Sequence, residues 1–213
     1  FLEVFGTIRN KDAKTYFPKN LAKNLLVQVD LENEQSLLAL LHKVKPNVVI
    51  NCVGLIKQLD ASNDLLQTLP INSLLPHRLA ILTKKIGARL ILMSTDCVFS
   101  GKTGNYTESD TPDCKDLYGQ SKLLGEVIDQ SHVLTIRTSI IGHELRGGHS
   151  LVNWFLKQKK SALGYTKAIY SGLPTITLAN IIHDLILPNP KLFGLYQIAS
   201  EPISKFDLLS LIA

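Results

Sequence analysis

Tyr118 and Lys122 stand four residues apart in DLYGQSKLLGE. On a helix that spacing puts both side chains on one face, roughly 5–6 Å apart at Cβ. An ammonium held there favours the phenolate and pulls the tyrosine pKa, about 10 when unperturbed, toward the working pH. Such a tyrosine can exchange a proton with a carbonyl or alcohol oxygen. Upstream, the apolar run LILM ends abruptly in Ser94-Thr95-Asp96. A hydroxyl at the C-terminal end of a strand, from Thr95 or Ser94, sits in the crevice where open α/β sheets bind ligands, and can hold the same oxygen.

The Y-x-x-x-K spacing alone is weak, since chance supplies roughly half of one such pair in a chain of this composition. Its position carries the argument: a strand ending in Ser-Thr, a Gly/Thr/Asn/Asp/Pro-rich loop, then a helix that opens on the tyrosine. The elements needed to hold that arrangement recur along the chain. LEVFGTIR and NLLVQVDL read as strands, and residues 33–44 carry a helical stripe of Leu37, Leu38, Leu40, Leu41 and Val44. NVVINCVG is a continuous apolar strand of the kind buried on both faces of a parallel sheet. INSLLPHRLAILTKKIG is a helix closed by Gly87, followed by strand RLILMSTD. VLTIRTS, SLVNWFLKQKK, a turn at Gly172-Leu173-Pro174-Thr175, a helix over 176–186, GLYQIAS and SKFDLLSLIA continue the alternation. Strands alternating with helices predict an α/β fold, a Rossmann-like doubly wound parallel sheet with right-handed crossovers. Residues 1–139 would form the dinucleotide-binding domain and 140–213 a small C-terminal substrate-binding lobe.

With 213 residues and 45% hydrophobic side chains the chain can bury a substantial core. The net charge of +5 comes from scattered Lys and Arg, so no nucleic-acid surface is expected, while an anionic nucleotide suits the field. No apolar run approaches the ~18 residues of a membrane span. The odd set Cys52, Cys97 and Cys114 fits a reducing, cytoplasmic setting and small packed thiols. The six histidines show no metal-ligand spacing, so no metal is expected. Trp154-Phe155 reads as core or interface packing. Gly125 inside the Tyr118 helix lowers helix propensity by about 1 kcal/mol, which a close helix–helix approach, as at a homodimer contact, would explain.

A dinucleotide fold normally opens with a strand and a Gly-rich turn that brings pyrophosphate to a helix N-terminus. No such motif is present. The missing strand would lie between the strands containing Val4 and Val49, leaving two costly unpaired edges. The expectation is a fragment of a longer protein without its first βα unit and its C-terminal end. In such folds an acid after the second strand binds the adenosine ribose, and a base accommodates a 2′-phosphate. Here Gly6-Thr7-Ile8-Arg9 holds no acid, which favours NADPH, with NADH as the alternative.

STDCVFSG, GxYxExD and DLYGQSKLLGE resemble the extended short-chain dehydrogenase/reductase family, and within it the dTDP-4-dehydrorhamnose reductase-like (RmlD-like) reductases. The resemblance covers nearly the whole chain. It implies an oxidoreductase in which Tyr118 donates the proton, Lys122 binds the nicotinamide ribose and tunes the tyrosine, and Thr95 binds the sugar carbonyl beside Asp96. It places Asp30-Leu31 by the adenine and Cys52-Val53-Gly54, after Asn51, along the cofactor. The implied reaction is NADPH-dependent reduction of the 4-keto group of a nucleotide-linked deoxysugar, in precursor synthesis for cell-surface polysaccharide. Asn72 matches a helix asparagine that either relays a proton or bonds a distorted helix turn. Lys57 is placed to meet substrate or phosphate, or simply solvent. Arg137-Thr138-Ser139 matches a strand end facing substrate, and Ile140 stands where close relatives carry an aromatic, so the sugar is open. Cys97 replaces a dehydratase glutamate, which argues against water elimination. The alternatives are a non-catalytic NADP-binding regulatory subunit, as in methionine adenosyltransferase, and a nucleotide-sugar epimerase.

Overall fold

The computed structural model describes residues 2–213. In chain order its N-terminal elements are β1 (Gly6–Ile8), α1 (Lys19–Ala22), β2 (Leu25–Val27), α2 (Glu34–Val44), β3 (Val48–Asn51), α3 (Leu65–Thr68), α4 (Leu75–Lys85) and β4 (Arg89–Thr95). They are followed by α5 (Leu117–Leu124), β5 (Val133–Thr138), β6 (Ile140–Ile141), α6 (Leu151–Leu156), β7 (Ile169–Tyr170), β8 (Leu173–Pro174), α7 (Thr175–Ile181), β9 (Gly194–Gln197), β10 (Ile203–Ser204) and α8 (Lys205–Ile212). The architecture is the expected α/β one.

Four strands form a parallel sheet in the order β3-β4-β5-β9. Successive strand residues face opposite sides, and both sides here are apolar. Leu90 and Leu92 of β4 and Val133 of β5 pack with Leu37 and Leu41 of α2 and Leu75, Leu79 and Leu82 of α4. Ile91, Leu134 and Ile136 face the other way, onto Ile186 in the turn of π-helix that extends α7. Helices on both faces make the sheet doubly wound. Each fully buried Leu or Ile contributes about 1.5–3 kcal/mol relative to exposure, so these two layers dominate the stability of the scaffold.

Local signals set the helix ends. Asn33 caps α2 by accepting the Ser36 N–H at 3.0 Å, and Lys45 closes it in the left-handed region with φ 50°. The long helix expected before β4 is interrupted. Residues Leu69–Leu74 form a π-helical stretch joining α3 to α4, in which the Leu75 N–H reaches back to the Pro70 carbonyl. Proline lacks an N–H of its own, and such wide turns commonly mark functional sites.

The remaining strands are short. β1 and β2 pair in parallel only with each other, and β3 is an edge of the main sheet, so no described strand lies between β1 and β3. Val4 falls outside β1, where its carbonyl accepts from the Asn24 side chain at 3.0 Å. β6 pairs with β8 and β7 with β10, making the smaller C-terminal part, although β9 returns to the main sheet beside β5. The amphipathic helix expected over SLVNWFLKQKK is shorter: Ser150 caps it and it ends at Leu156. Trp154 on it is 41% exposed, so it is not a core residue. Among the described residues no helix is long and apolar enough to cross a membrane.

Candidate active site

The end of β4 meets the face of α5. Asp116 caps α5 by accepting the Gly119 N–H at 3.0 Å, which starts the helix one residue before Tyr118. The tyrosine, the lysine a turn later and the strand-end hydroxyl then converge. Lys122 Nζ donates to the Met93 carbonyl at 2.7 Å. Two residues on, the Thr95 hydroxyl lies near enough to the Tyr118 phenol to bear on its ionisation. Thr95 is itself fixed, accepting the Cys97 N–H at 3.1 Å and donating to Asp96 Oδ1 at 3.2 Å. Of the two hydroxyls left open by sequence, Thr95 faces the tyrosine. Ser94 turns to Glu126 at 2.6 Å.

The electrostatics correct one expectation. Burial pushes the Tyr118 phenol up to about 12, with Thr95 opposing and Cys97, Asp96 and Asp116 adding to the rise. Lys122 does not draw it down. Its ammonium is committed to a backbone carbonyl and is itself lowered by burial, a shift that Glu126 and Cys52 counter. Tyr118 is therefore a neutral phenol at neutral pH, suited to giving a proton rather than taking one.

On the cofactor side, Arg9, Asp30, Leu31 and Val53 line one cleft of about 390 Å³ with Thr7, Ile8, Gln28 and Val29, at the C-terminal ends of β1 and β2 and past β3. Asn51 braces the turn by accepting the Val53 N–H at 3.1 Å. Cys52 is exposed; desolvation raises its thiol pKa while the Lys122 ammonium pulls it down. A Cβ on Gly54 would come 3.3 Å from Asn72 Oδ1 and 3.9 Å from Lys122 Nζ, so the glycine keeps open the path between that turn and the lysine. These residues fit the two ends of a dinucleotide. No glycine-rich turn for a pyrophosphate lies among them.

Asn72 sits on the distorted helical turn itself and bonds the loop after β3. It is 1% exposed on the π-helical stretch, accepts the Leu55 N–H at 2.8 Å, and donates to the Leu55 carbonyl and to Ser121 Oγ, both at 3.1 Å. The same stretch explains Gly125. A Cβ there would overlap the Asn72 carbonyl oxygen, so the close helix–helix approach exists, but within the chain. Gly125→Ala should lower stability by about 1–3 kcal/mol through overpacking, read as a fall in the thermal midpoint.

One candidate is placed differently from expectation. Arg137 does not face the cleft; it is 4% exposed and paired with Glu126. Lys57 reaches Asp116 at 3.2 Å, in a pair too exposed to contribute much stability. Asp96 and Ile140 are both exposed. Sequence reasoning missed Tyr170 and underrated Cys97. Burial pushes the Tyr170 phenol up, with Ser139 opposing and Asp96 adding to the rise. Burial likewise raises the Cys97 thiol, with Asp96 adding and Thr95 and Lys57 opposing. Nothing in the spacing of Tyr170 signals this. Among the described residues no cluster of three or more His, Cys, Asp or Glu could hold a metal ion.

Comparison with known proteins identifies the family and the fold. The RmlD substrate binding domain family matches residues 3–213. The spore coat polysaccharide biosynthesis protein SpsK of Bacillus subtilis is 32% identical over 168 residues, 75% of this chain and 57% of that protein. A dTDP-4-dehydrorhamnose reductase of Aggregatibacter actinomycetemcomitans is 27% identical over 192 residues, 84% of this chain and 65% of that one. Methionine adenosyltransferase 2 subunit beta of Danio rerio is 32% identical over 110 residues, 50% of this chain and 32% of that one. The chain thus spans less than two thirds of the length of these relatives. Among solved structures, a hypothetical dTDP-4-dehydrorhamnose reductase from Sulfolobus tokodaii superposes with a TM-score of 0.77 at 25% identity, covering 98% of this chain and 81% of that one. The Bacillus anthracis dTDP-4-dehydrorhamnose reductase, solved in complex with NADP, shares the fold with a TM-score of 0.77 at 20% identity, over 99% of this chain and 80% of that one.

Proposed function

The chain belongs to the RmlD substrate binding domain family, and from that premise we propose that it serves the NADPH-dependent reduction of the 4-keto group of a nucleotide-activated deoxysugar. The observation that carries this reading is the meeting of a neutral phenol, a buried ammonium and an anchored threonine hydroxyl at one strand end. Thr95 would donate to the sugar carbonyl oxygen, giving up its long bond to Asp96, and Asp96 and Ile140 would contact the sugar. Tyr118 then protonates that oxygen as it becomes an alkoxide, which a phenol raised by burial does while itself neutral in the ground state. Lys122 keeps donors free of Met93 for the nicotinamide ribose hydroxyls. Arg9 would take a 2′-phosphate, Asp30 and Leu31 the adenine, and the Cys52-Val53-Gly54 turn the nicotinamide end. When bound, NADPH supplies the hydride.

Residues 1–139 would then serve the cofactor and 140–213 the substrate, with precursor supply for surface polysaccharide as the setting. The test is NADPH consumption by the whole protein across a panel of nucleotide-linked 4-keto sugars. Turnover with at least one, and weaker use of NADH, is the expected result. The similarity to methionine adenosyltransferase 2 subunit beta supports one competing reading, a regulatory subunit. NADPH binding without turnover on any sugar in the panel would favour it.

A further inference from the structure

Three consecutive residues of β4 each meet one of three residues spaced by four along and just beyond α5, two of them through a hydrogen bond. The Met93 carbonyl takes Lys122, Ser94 Oγ takes Glu126, and Thr95 neighbours Tyr118. Only the middle tie is locked from behind. Glu126 Oε1 accepts from Ser94 at 2.6 Å and from Arg137 Nε at 2.8 Å, and Oε2 accepts from Arg137 Nη2 at 2.7 Å. The two charged side chains are 4% and 5% exposed. Ser94 and Arg137 are register partners on β4 and β5, so one carboxylate staples two adjacent strands to the segment leaving α5. The next residue continues the attachment, because the Val127 carbonyl accepts from Thr135 Oγ1 at 2.7 Å. On its far side the Arg137 guanidinium lies 5.1 Å from the centre of the Phe99 ring, in the loop following Thr95.

We propose that Glu126 is the positioning residue of this site: held by Ser94 and Arg137, it sets where α5 sits along β4 and so keeps Tyr118 and Lys122 in register with Thr95 and Met93. The inference deepens the reductase reading and rests on it for its kinetic consequence. A bidentate arginine–carboxylate pair has the directional rigidity this task needs. The carboxylate's charge also raises the pKa of the Lys122 ammonium. The other titratable group acting on that ammonium is Cys52.

The experiment compares the whole protein with Glu126→Gln, and with Glu126→Gln/Arg137→Met in case the single variant does not fold. One readout is kcat and KM against pH; the other is acylation of Lys122 against pH, followed by peptide mass spectrometry, which needs no turnover. Loss of register should lower kcat by roughly 10–100-fold with little change in KM. Glu126 raises the Lys122 pKa, so removing its charge should move the Lys122 labelling profile and the alkaline limb of kcat to lower pH. Glu126→Asp should recover part of the kcat loss. A folded variant with parent kcat and an unmoved labelling profile overturns the proposal. If the parent itself turns over no sugar, the reductase reading fails, and the labelling profile alone decides the role of Glu126.

Discussion

On the proposed reductase reading, Tyr118→Phe should leave the protein folded and lower kcat with a 4-keto sugar nucleotide by about 10²–10⁴-fold, the range general acid catalysis contributes. The ring stays, so its packing stays, and the change should cost little stability. The proton has no other evident source. The Thr95 hydroxyl is far too weak an acid, and burial raises the Cys97 thiol while leaving it beside the Asp96 carboxylate. The pH dependence follows from the directions of the shifts. A phenol raised to about 12 keeps its proton across the neutral and mildly alkaline range, so it does not set the alkaline limit of reduction. Lys122, lowered by burial, loses its proton earlier than a free lysine and should set that limit. Stopped-flow NADPH oxidation checks the rate, and circular dichroism the fold. Parent-like turnover in the phenylalanine variant would sink the assignment of the proton to Tyr118.

The second large effect is on stability. Arg137→Met should destabilise the protein by about 3–5 kcal/mol, because it leaves the Glu126 carboxylate buried with Ser94 as its remaining partner. For a chain of this size that corresponds to a fall in the thermal midpoint of roughly 6–20 °C. Glu126→Gln/Arg137→Met removes both charges together and should recover most of the loss, since a buried pair is often worth no more than a neutral replacement of similar volume. The penalty thus belongs to breaking the pair rather than to the pair's net strength. Thermal denaturation of the single and double variants separates the two, and equal losses in both would contradict the uncompensated-charge argument.

Much of the scaffold was legible because its signals are local. The apolar stripe Leu37, Leu38, Leu40, Leu41 and Val44 marks α2, and Asn33 marks where it starts. The run RLILMST is one uninterrupted strand because it is buried by helices on both faces. Less was legible where long-range contacts intervene. The π-helical stretch at Leu69–Leu74 is invisible in the pattern INSLLPHRL, which reads as an ordinary helix. Its wide turn makes sense only against Gly125, more than fifty residues later, whose missing Cβ makes room for the Asn72 carbonyl.

The same division runs through the site. Residue type and a spacing of four fix that Tyr118 and Lys122 share a helix face, because helical geometry depends only on separation along the chain. A hydroxyl at the end of LILMST fixes that an oxygen ligand is available beside them. Which of Ser94 and Thr95 meets the tyrosine, and where Arg137 turns, depend on which side of a sheet α5 covers. That is decided by how β4 and β5 register and by the charge that Glu126 brings between them. The tyrosine's ionisation belongs to the same level. A neighbouring ammonium argues for a lowered phenol, but burial and the carboxylates gathered from other parts of the chain raise it, since electrostatic work depends on distances in space and on excluded water.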